Sequence, residues 1–321
     1  MEVAVIGAGA WGTTLAILIA ENGNDVNLWV REKELVKIIK EKKENKWFLP
    51  GVDIPDNLAP TNDLSIVNDA EVIVTAVPSQ FLRDVAKKMD IKGKIIVNVS
   101  KGFEHTTFKT MSEVLDEVLP GNMIVVLSGP NHAEEVSKKI PTATVIASKD
   151  QSCLSKVKDI FSTGYFKVYL HDDVLGLEIC AALKNIIAIG CGITDGMKFG
   201  DNSKGSIITF GLREMSVLAK HFGAKEATLY GLAGVGDLVA TCTSKHSRNR
   251  KVGELIAQGY DFEKIKEIMH GQVAEGVKTC ESIHNYAKKK GIKLPLTSSI
   301  YEILFEKKDL KKAVADFIGL I

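Results

Sequence analysis

The sequence predicts an α/β protein in two parts: a doubly wound parallel sheet over residues 1–172 and an all-helical part over residues 173–321. Three observations carry this. Short, continuously apolar, β-branched runs alternate with helix-period segments up to residue 172, the pattern of parallel strands covered on both faces. After about Asp172 the strand signal stops and only long helical patterns follow. A length of 321 residues also fits two domains.

In chain order, strands are expected at residues 3–6, 25–30, 72–76, 95–99, 124–127, 142–147 and 166–170. Helical periodicity fills the gaps at 11–22, 32–43, 80–89, 110–119, 131–138 and 151–162. Residues 47–61 hold Pro50, Pro55 and Pro60, which break the pattern and predict a long surface loop. Beyond the boundary, helices are expected at 207–222, 248–258, 262–270, 278–290 and 298–305. The run 174–194 is long and apolar enough to suggest a membrane span. It carries Glu178, Lys184 and Asn185, which are costly in a bilayer, so it reads as a buried helix with no stable membrane insertion. The apolar start lacks the basic flank of a signal peptide, because Met1 is followed by Glu2.

Composition narrows the function classes. Lys+Arg number 41 against 40 Asp+Glu, a net charge of +1, which argues against nucleic acid as a partner. Hydrophobic residues at 45% supply a core and argue against disorder. The five cysteines, Cys153, Cys180, Cys191, Cys242 and Cys280, form no C-x-x-C pair. A disulfide framework or zinc site is therefore not expected, and a reducing, cytoplasmic compartment is.

The first strand runs into Gly7-Ala8-Gly9-Ala10-Trp11-Gly12, a G-x-G-x-x-G that opens a helix. In that context the motif is a dinucleotide-binding fingerprint of a Rossmann-like sheet. Gly7 permits the tight turn, Gly9 lets the backbone approach a pyrophosphate, and Gly12 lets the helix pack close to the sheet. The second strand ends at Val30-Arg31-Glu32. Arg31 suits the 2′-phosphate of NADP and comes first after the strand; Glu32 would suit the 2′-hydroxyl of NAD. NADP is favoured and NAD stays open.

Lys184 lies in the most apolar helical segment of the chain. Burial there would disfavour its ammonium form and bring it toward general acid–base duty. A lysine that snorkels at a helix edge fits the same pattern. The candidate partners are Glu178, Asp237 and a bound substrate. Asp237 closes a second glycine cluster, 231–236, which has no strand before it and can be read as a tight approach or as plain helix capping. Residues 245–251 follow, with four Lys/Arg and one His, and a helix opening at Ser247 or Arg248. Hydroxyls, the Asn249 amide and an arginine at a helix start suit a phosphate; an exposed charged face is the alternative. The expected strand ends also deliver Ser100-Lys101-Gly102 and Ser128-Gly129-Pro130-Asn131 to the edge where doubly wound sheets bind ligands.

Taken together, these residues resemble the bacterial type of NAD(P)-dependent sn-glycerol-3-phosphate dehydrogenase, over the whole chain. The most specific block is Gly231-Leu232-Ala233-Gly234-Val235-Gly236-Asp237-Leu238 with Thr241-Cys242-Thr243-Ser244 and Ser247-Arg248-Asn249. Ala76-Val77-Pro78-Ser79-Gln80, Leu183-Lys184-Asn185 and Ala274-Glu275-Gly276 also match. The resemblance implies hydride transfer between sn-glycerol 3-phosphate and dihydroxyacetone phosphate, feeding glycerophospholipid synthesis, and a homodimer. It makes Lys184 the proton acceptor. Lys101, Gly129, Asp237, Ser247, Arg248 and Asn249 would contact substrate. The cofactor would meet Gly7, Gly9, Ala10, Trp11, Gly12, Arg31, Lys101, Ala133, Arg248, Val273 and Glu275. Two departures are Ala10, where the family often has Ser, and Asn131-His132, where Ser-Phe is common. Ketopantoate reductase and 6-phosphogluconate dehydrogenase share the two-domain plan. Neither explains the block from Asp237 to Asn249. A non-catalytic NAD(P)(H) sensor would need the glycine loop without the buried lysine.

Overall fold

The chain begins β1 (Glu2–Ile6), α1 (Ala10–Glu21), β2 (Asp25–Trp29), α2 (Lys33–Lys42), β3 (Glu44–Asn45), β4 (Leu49–Asp53) and β5 (Leu58–Thr61). It continues α3 (Ile66–Asp69), β6 (Val72–Thr75), α4 (Ser79–Ala86), β7 (Ile95–Asn98), α5 (Met111–Val118) and β8 (Met123–Ser128). Then come α6 (Ala133–Val136), β9 (Thr142–Ser148), α7 (Leu154–Phe161) and β10 (Phe166–His171). The computed structural model describes residues 1–269 and 274–319. Eight strands form one sheet in the order β10-β9-β8-β7-β6-β1-β2-β5. Every neighbouring pair is parallel except β8 with β9.

All seven strands expected from the sequence lie in this sheet. The eighth, β5, falls inside residues 47–61, so the long loop expected there is wrong. The same stretch also holds β4, paired with β3 in a two-stranded ribbon. The prolines misled because they mark edges here. Pro60 sits on β5, which pairs only with β2, so its missing N–H leaves no ladder bond unmade. The expected helix at 131–138 is only the four-residue α6, ended by Lys139 at φ 60°.

From β1 the chain passes to β2 on one side, and β6 pairs on the other. The loop after β1 therefore stands at the switch point where doubly wound sheets bind ligands. Alternate residues of β1 feed two core layers. Val3 and Val5 pack with Leu15 and Ile19 of α1; Ala4 and Ile6 pack with Leu82 of α4 and Leu115 of α5. Each fully buried aliphatic side chain contributes roughly 1.5–3 kcal/mol, which is why α1, with nine of its residues buried, needs no amphipathic stripe.

The second part is α8 (Val174–Gly196), α9 (Asp201–Phe222), α10 (Asp237–Thr243), α11 (Arg248–Ala257), α12 (Phe262–Ile268), α13 (Glu275–Lys290), α14 (Pro295–Phe305) and α15 (Leu310–Gly319). By contacts, one unit comprises Met1–Lys101 with Lys109–Leu177, the other Gly102–Phe108 with Glu178–Ile321. Residues 102–108 belong to the helical unit because Phe103 stacks on Phe222 at 5.8 Å, Phe108 packs on Tyr286 at 4.8 Å, and His105 Nδ1 meets Ser282 Oγ at 2.9 Å. The apolar helix is α8, and 89% of its most apolar window is buried. It touches α11 backbone to backbone. A Cβ on Gly192 would come within 1.9 Å of Arg250 O, and one on Gly253 within 2.1 Å of Ile189 O.

Glu214 of α9 is buried at 6% exposure and serves α14 as a remote cap. Its carboxylate accepts from Leu296 N at 2.5 Å, Thr297 N at 3.0 Å and Thr297 Oγ1 at 2.6 Å. These are helix-start amides that Pro295 and the apolar Leu294 leave unserved. Burial pushes this carboxyl up to about 7, against the opposing pull of those three hydrogen bonds.

Candidate active site

In the sheet unit, the chain leaves β1 through Gly7 at φ +117°, a backbone shape that side chains rarely adopt. A Cβ on Gly12 would come within 1.9 Å of Gly7 O, whereas one on Gly9 would meet nothing within 4 Å. The first two glycine effects close the turn; the third leaves a bare face. Gly9 caps α1, and no side chain serves its first amides. Open backbone donors at the start of a 12-residue helix suit a pyrophosphate, so these residues fit the dinucleotide that the motif implies. Ala10 and Trp11 open that helix, and Trp11 Nε1 is buried without a hydrogen-bond partner among the described residues. Ala133 starts α6 and is buried, its carbonyl accepting from Thr14 Oγ1 at 3.4 Å.

Arg31 lies two residues past β2, with its side chain 73% exposed. It pairs with the neighbouring Glu32, Nε to Oε1 at 2.7 Å. The two residues that suit alternative ribose groups thus hold each other. Lys101 follows β7 and is half-buried; Gly129 follows β8 at φ +150°. A Cβ on Gly129 would press on Thr144 Cα at 3.1 Å. Asn131, one of the departures, donates to Thr144 Oγ1 at 3.0 Å and so supports the same turn.

In the helical unit, Lys184 is 5% exposed and Asp237 2%. Lys184 Nζ donates to Asp237 Oδ1 at 2.5 Å and to Thr241 Oγ1 at 2.9 Å. Thr241, one turn on from Asp237, donates in turn to Asp237 Oδ1 at 3.2 Å. Lys184 is not a snorkelling surface lysine. The glycine cluster explains how Asp237 arrives. Gly234 has φ −90° and ψ −105°, and a Cβ there would lie 2.0 Å from Leu229 O. The tight backbone sets Asp237 as the first residue of α10. Of the alternatives for this cluster, the structure shows close approach. Burial disfavours two lone charges here, and the ion pair offsets that cost.

The close contact between α8 and α11 carries the next residues. Ser247 caps α11, its Oγ accepting from Arg250 N at 3.2 Å. Arg248 is exposed and opens the helix. Asn249 is buried, and its Oδ1 accepts from Gly276 N at 2.9 Å. Gly276 also abuts Asn185: a Cβ there would come within 2.7 Å of both Asn185 O and Asn249 Oδ1. Glu275, its neighbour, is half-buried at the start of α13. The basic segment is not one uniform face. Arg250 is tied to Asp195 at 2.6 Å and to Glu254 at 2.7 Å, and Lys251 pairs with Glu254 at 3.3 Å. Those two brace the helix, while Arg248 stays exposed.

Lys184, Asp237, Ser247 and Asn249 are thus buried in the helical unit, and Arg248 is exposed there. Val273 lies outside the described residues. Sequence reasoning missed Thr241 and Gly276 as site-building residues. Thr241 is signalled by its i+4 spacing from Asp237, which puts both on one helix face. Gly276 is visible only as part of the Ala274-Glu275-Gly276 motif, because its packing partners, Asn185 and Asn249, lie far off in sequence.

Two family models match the chain: the NAD-dependent glycerol-3-phosphate dehydrogenase N-terminus over residues 2–154 and the C-terminus over residues 173–315. A glycerol-3-phosphate dehydrogenase [NAD(P)+] of Pelodictyon phaeoclathratiforme is 46% identical over 325 residues, covering 99% of this chain and 97% of that one. The crystal structure of glycerol-3-phosphate dehydrogenase from Coxiella burnetii superposes with a TM-score of 0.95 at 36% identity, covering 99% and 98% of the two chains. A ketopantoate reductase from Ralstonia eutropha, at 18% identity and a TM-score of 0.63 over 95% and 97% of the chains, shares the fold alone. With both parts of the chain matched and relatives similar along its full length, the chain belongs to the family of NAD-dependent glycerol-3-phosphate dehydrogenases.

Proposed function

We propose that the protein interconverts sn-glycerol 3-phosphate and dihydroxyacetone phosphate with NAD or NADP, and that the buried Lys184–Asp237–Thr241 cluster manages the proton. The observation that carries this reading is the cluster itself: a lysine in an apolar helix, held by one carboxylate and one hydroxyl. The bound nicotinamide supplies and accepts the hydride. In ketone reduction, Lys184 Nζ delivers a proton to the C2 oxygen, and the Asp237 carboxylate holds the ammonium ready. In alcohol oxidation, Lys184 takes the C2 hydroxyl proton. Asp237 and Thr241 fix the lysine's direction so that Nζ needs little reorganisation.

The helix start at Ser247, Arg248 and Asn249 binds the substrate phosphate. Arg248 supplies the charge; Asn249, locked by Gly276 N–H, supplies a pre-set amide. Residues 7–12, with Trp11 and Ala133, would hold the cofactor pyrophosphate, and Arg31 would favour NADP over NAD. Lys101 and Gly129 contact substrate, and Glu275 and Val273 the cofactor. The product suits glycerophospholipid synthesis.

The test is NADPH and NADH oxidation with dihydroxyacetone phosphate, 2-ketopantoate or no substrate. Turnover with dihydroxyacetone phosphate alone is expected. Turnover with 2-ketopantoate alone, or tight cofactor binding with no turnover on either, would overturn the reading.

A further inference from the structure

Asn45 is a polar side chain with no exposure at all, carried on the short ribbon β3–β4. Its Nδ2 donates to Ala8 O at 2.9 Å and to Thr13 Oγ1 at 2.8 Å, and its Oδ1 accepts from Phe48 N at 3.2 Å. Thr13 Oγ1 donates to the same Ala8 carbonyl at 3.3 Å. Two donors, Asn45 Nδ2 and Thr13 Oγ1, thus converge on one carbonyl inside the glycine loop. A buried amide is kept only where its hydrogen bonds are made, and one of these reaches a loop carbonyl 37 positions away.

The chemistry of that plane gives the amide a use. The Ala8–Gly9 bond is trans, so its C=O and N–H point in opposite directions. Fixing the Ala8 carbonyl on Asn45 and Thr13 turns the Gly9 N–H away from them. Gly9 is the residue whose missing side chain leaves open space, and its helix start has no side-chain cap. We propose that Asn45 is a positioning residue for the cofactor: it locks the Ala8–Gly9 peptide so that the Gly9 N–H faces the pyrophosphate. The proposal rests on the glycine-loop reading given above. It makes the ribbon β3–β4 a support for the loop. Because the pyrophosphate is common to NAD and NADP, Asn45 serves both alike, unlike Arg31.

The test is equilibrium binding of NADH, NADPH, ADP-ribose and adenosine to the full chain, alongside steady-state kinetics. For Asn45→Ala, affinity for the three pyrophosphate ligands is expected to fall by roughly tenfold, the worth of one hydrogen bond to a charged group. NADH and NADPH should fall by the same factor. Adenosine affinity, and both kcat and the substrate KM at saturating cofactor, should stay within about twofold. A merely structural role would lower the melting temperature and leave the pyrophosphate ligands no more affected than adenosine, and that result overturns the proposal. Should Asn45→Ala not fold, Thr13→Val removes the second donor to Ala8 O, and a fall of about threefold confined to the pyrophosphate ligands is expected; no fall overturns it. Gly9→Val separates the two readings. Unchanged NADH binding in Gly9→Val sinks the glycine-loop assignment; lost binding there with unchanged binding in Asn45→Ala sinks only the role of Asn45.

Discussion

The loop at residues 7–12 offers backbone amides and a bare glycine face, whereas the helical unit presents charged side chains already bound to one another. In the loop, shape is set by what is absent: no Cβ at Gly7 or Gly12, no cap on α1. In the helical cluster it is set by what is present: Lys184, Asp237 and Thr241 in mutual hydrogen bonds below 3.3 Å. The difference matches the two tasks proposed for them. A pyrophosphate needs several fixed donors and no proton exchange, so main-chain N–H groups suffice. A proton carrier must change charge, so it needs an ionisable side chain whose charged form is supported in a buried place.

That contrast is open to attack by substitution, and the largest effect is expected in the loop. Gly12→Ala puts a methyl group 1.9 Å from Gly7 O, against rigid backbone. Cofactor affinity should fall by about 10²-fold or more, because helix start and turn can no longer coexist. Titration of NADPH fluorescence checks it; near-normal affinity would mean the loop is not the pyrophosphate site. A smaller and differently placed effect is expected from Arg248→Ala. It should raise the substrate KM by roughly tenfold or more, as loss of a charge-assisted contact to phosphate does. An unchanged KM for glycerol 3-phosphate would move the phosphate elsewhere.

The two regions also differ in how far they could be read from sequence. The loop is a contiguous motif after a recognisable strand, so Gly7, Gly9 and Gly12 stand out unaided. The lysine cluster draws on α8 and α10, and its supports on α11 and α13, so no window of sequence holds it. Lys184 stands out in the sequence by its apolar surroundings, but its partner there is one of three open candidates. The specific block from Asp237 to Asn249 was legible mainly through family resemblance. Of the fold, seven of the sheet's strands are legible: β1, β6, β7, β8 and β9 as nearly continuous buried runs, β2 and β10 by their apolar β-branched and aromatic residues. β5 was not, because Pro60 weakens the strand signal and only the sheet edge makes it harmless. Asn45 was invisible for a related reason: its meaning lies in a carbonyl far away in sequence.

A further effect concerns stability rather than binding and lies away from the proposed ligand sites. Glu214, with its carboxyl raised to about 7 by burial, binds its proton more tightly in the folded chain than in the unfolded one. The native state therefore holds more protons between about pH 4.5 and 7, and stability falls as pH rises through that window. Below about pH 4.5 both states are protonated and the contribution is fully present. Glu214→Gln removes the titration and keeps an acceptor for the α14 amides. Its stability should fall less over this range than that of the parent, by roughly 3 kcal/mol at most. Urea unfolding at pH 5 and pH 8 measures it, and parallel pH profiles for the two proteins would contradict it.

Proton handling by the Lys184 cluster and cofactor binding by the glycine loop are proposed as separable functions. Lys184→Ala, assayed for both kcat and NADPH affinity, separates them. Turnover should fall by about 10²-fold or more, with NADPH affinity held within about twofold. Near-normal turnover, or a loss of cofactor affinity as large as the loss of turnover, would contradict it.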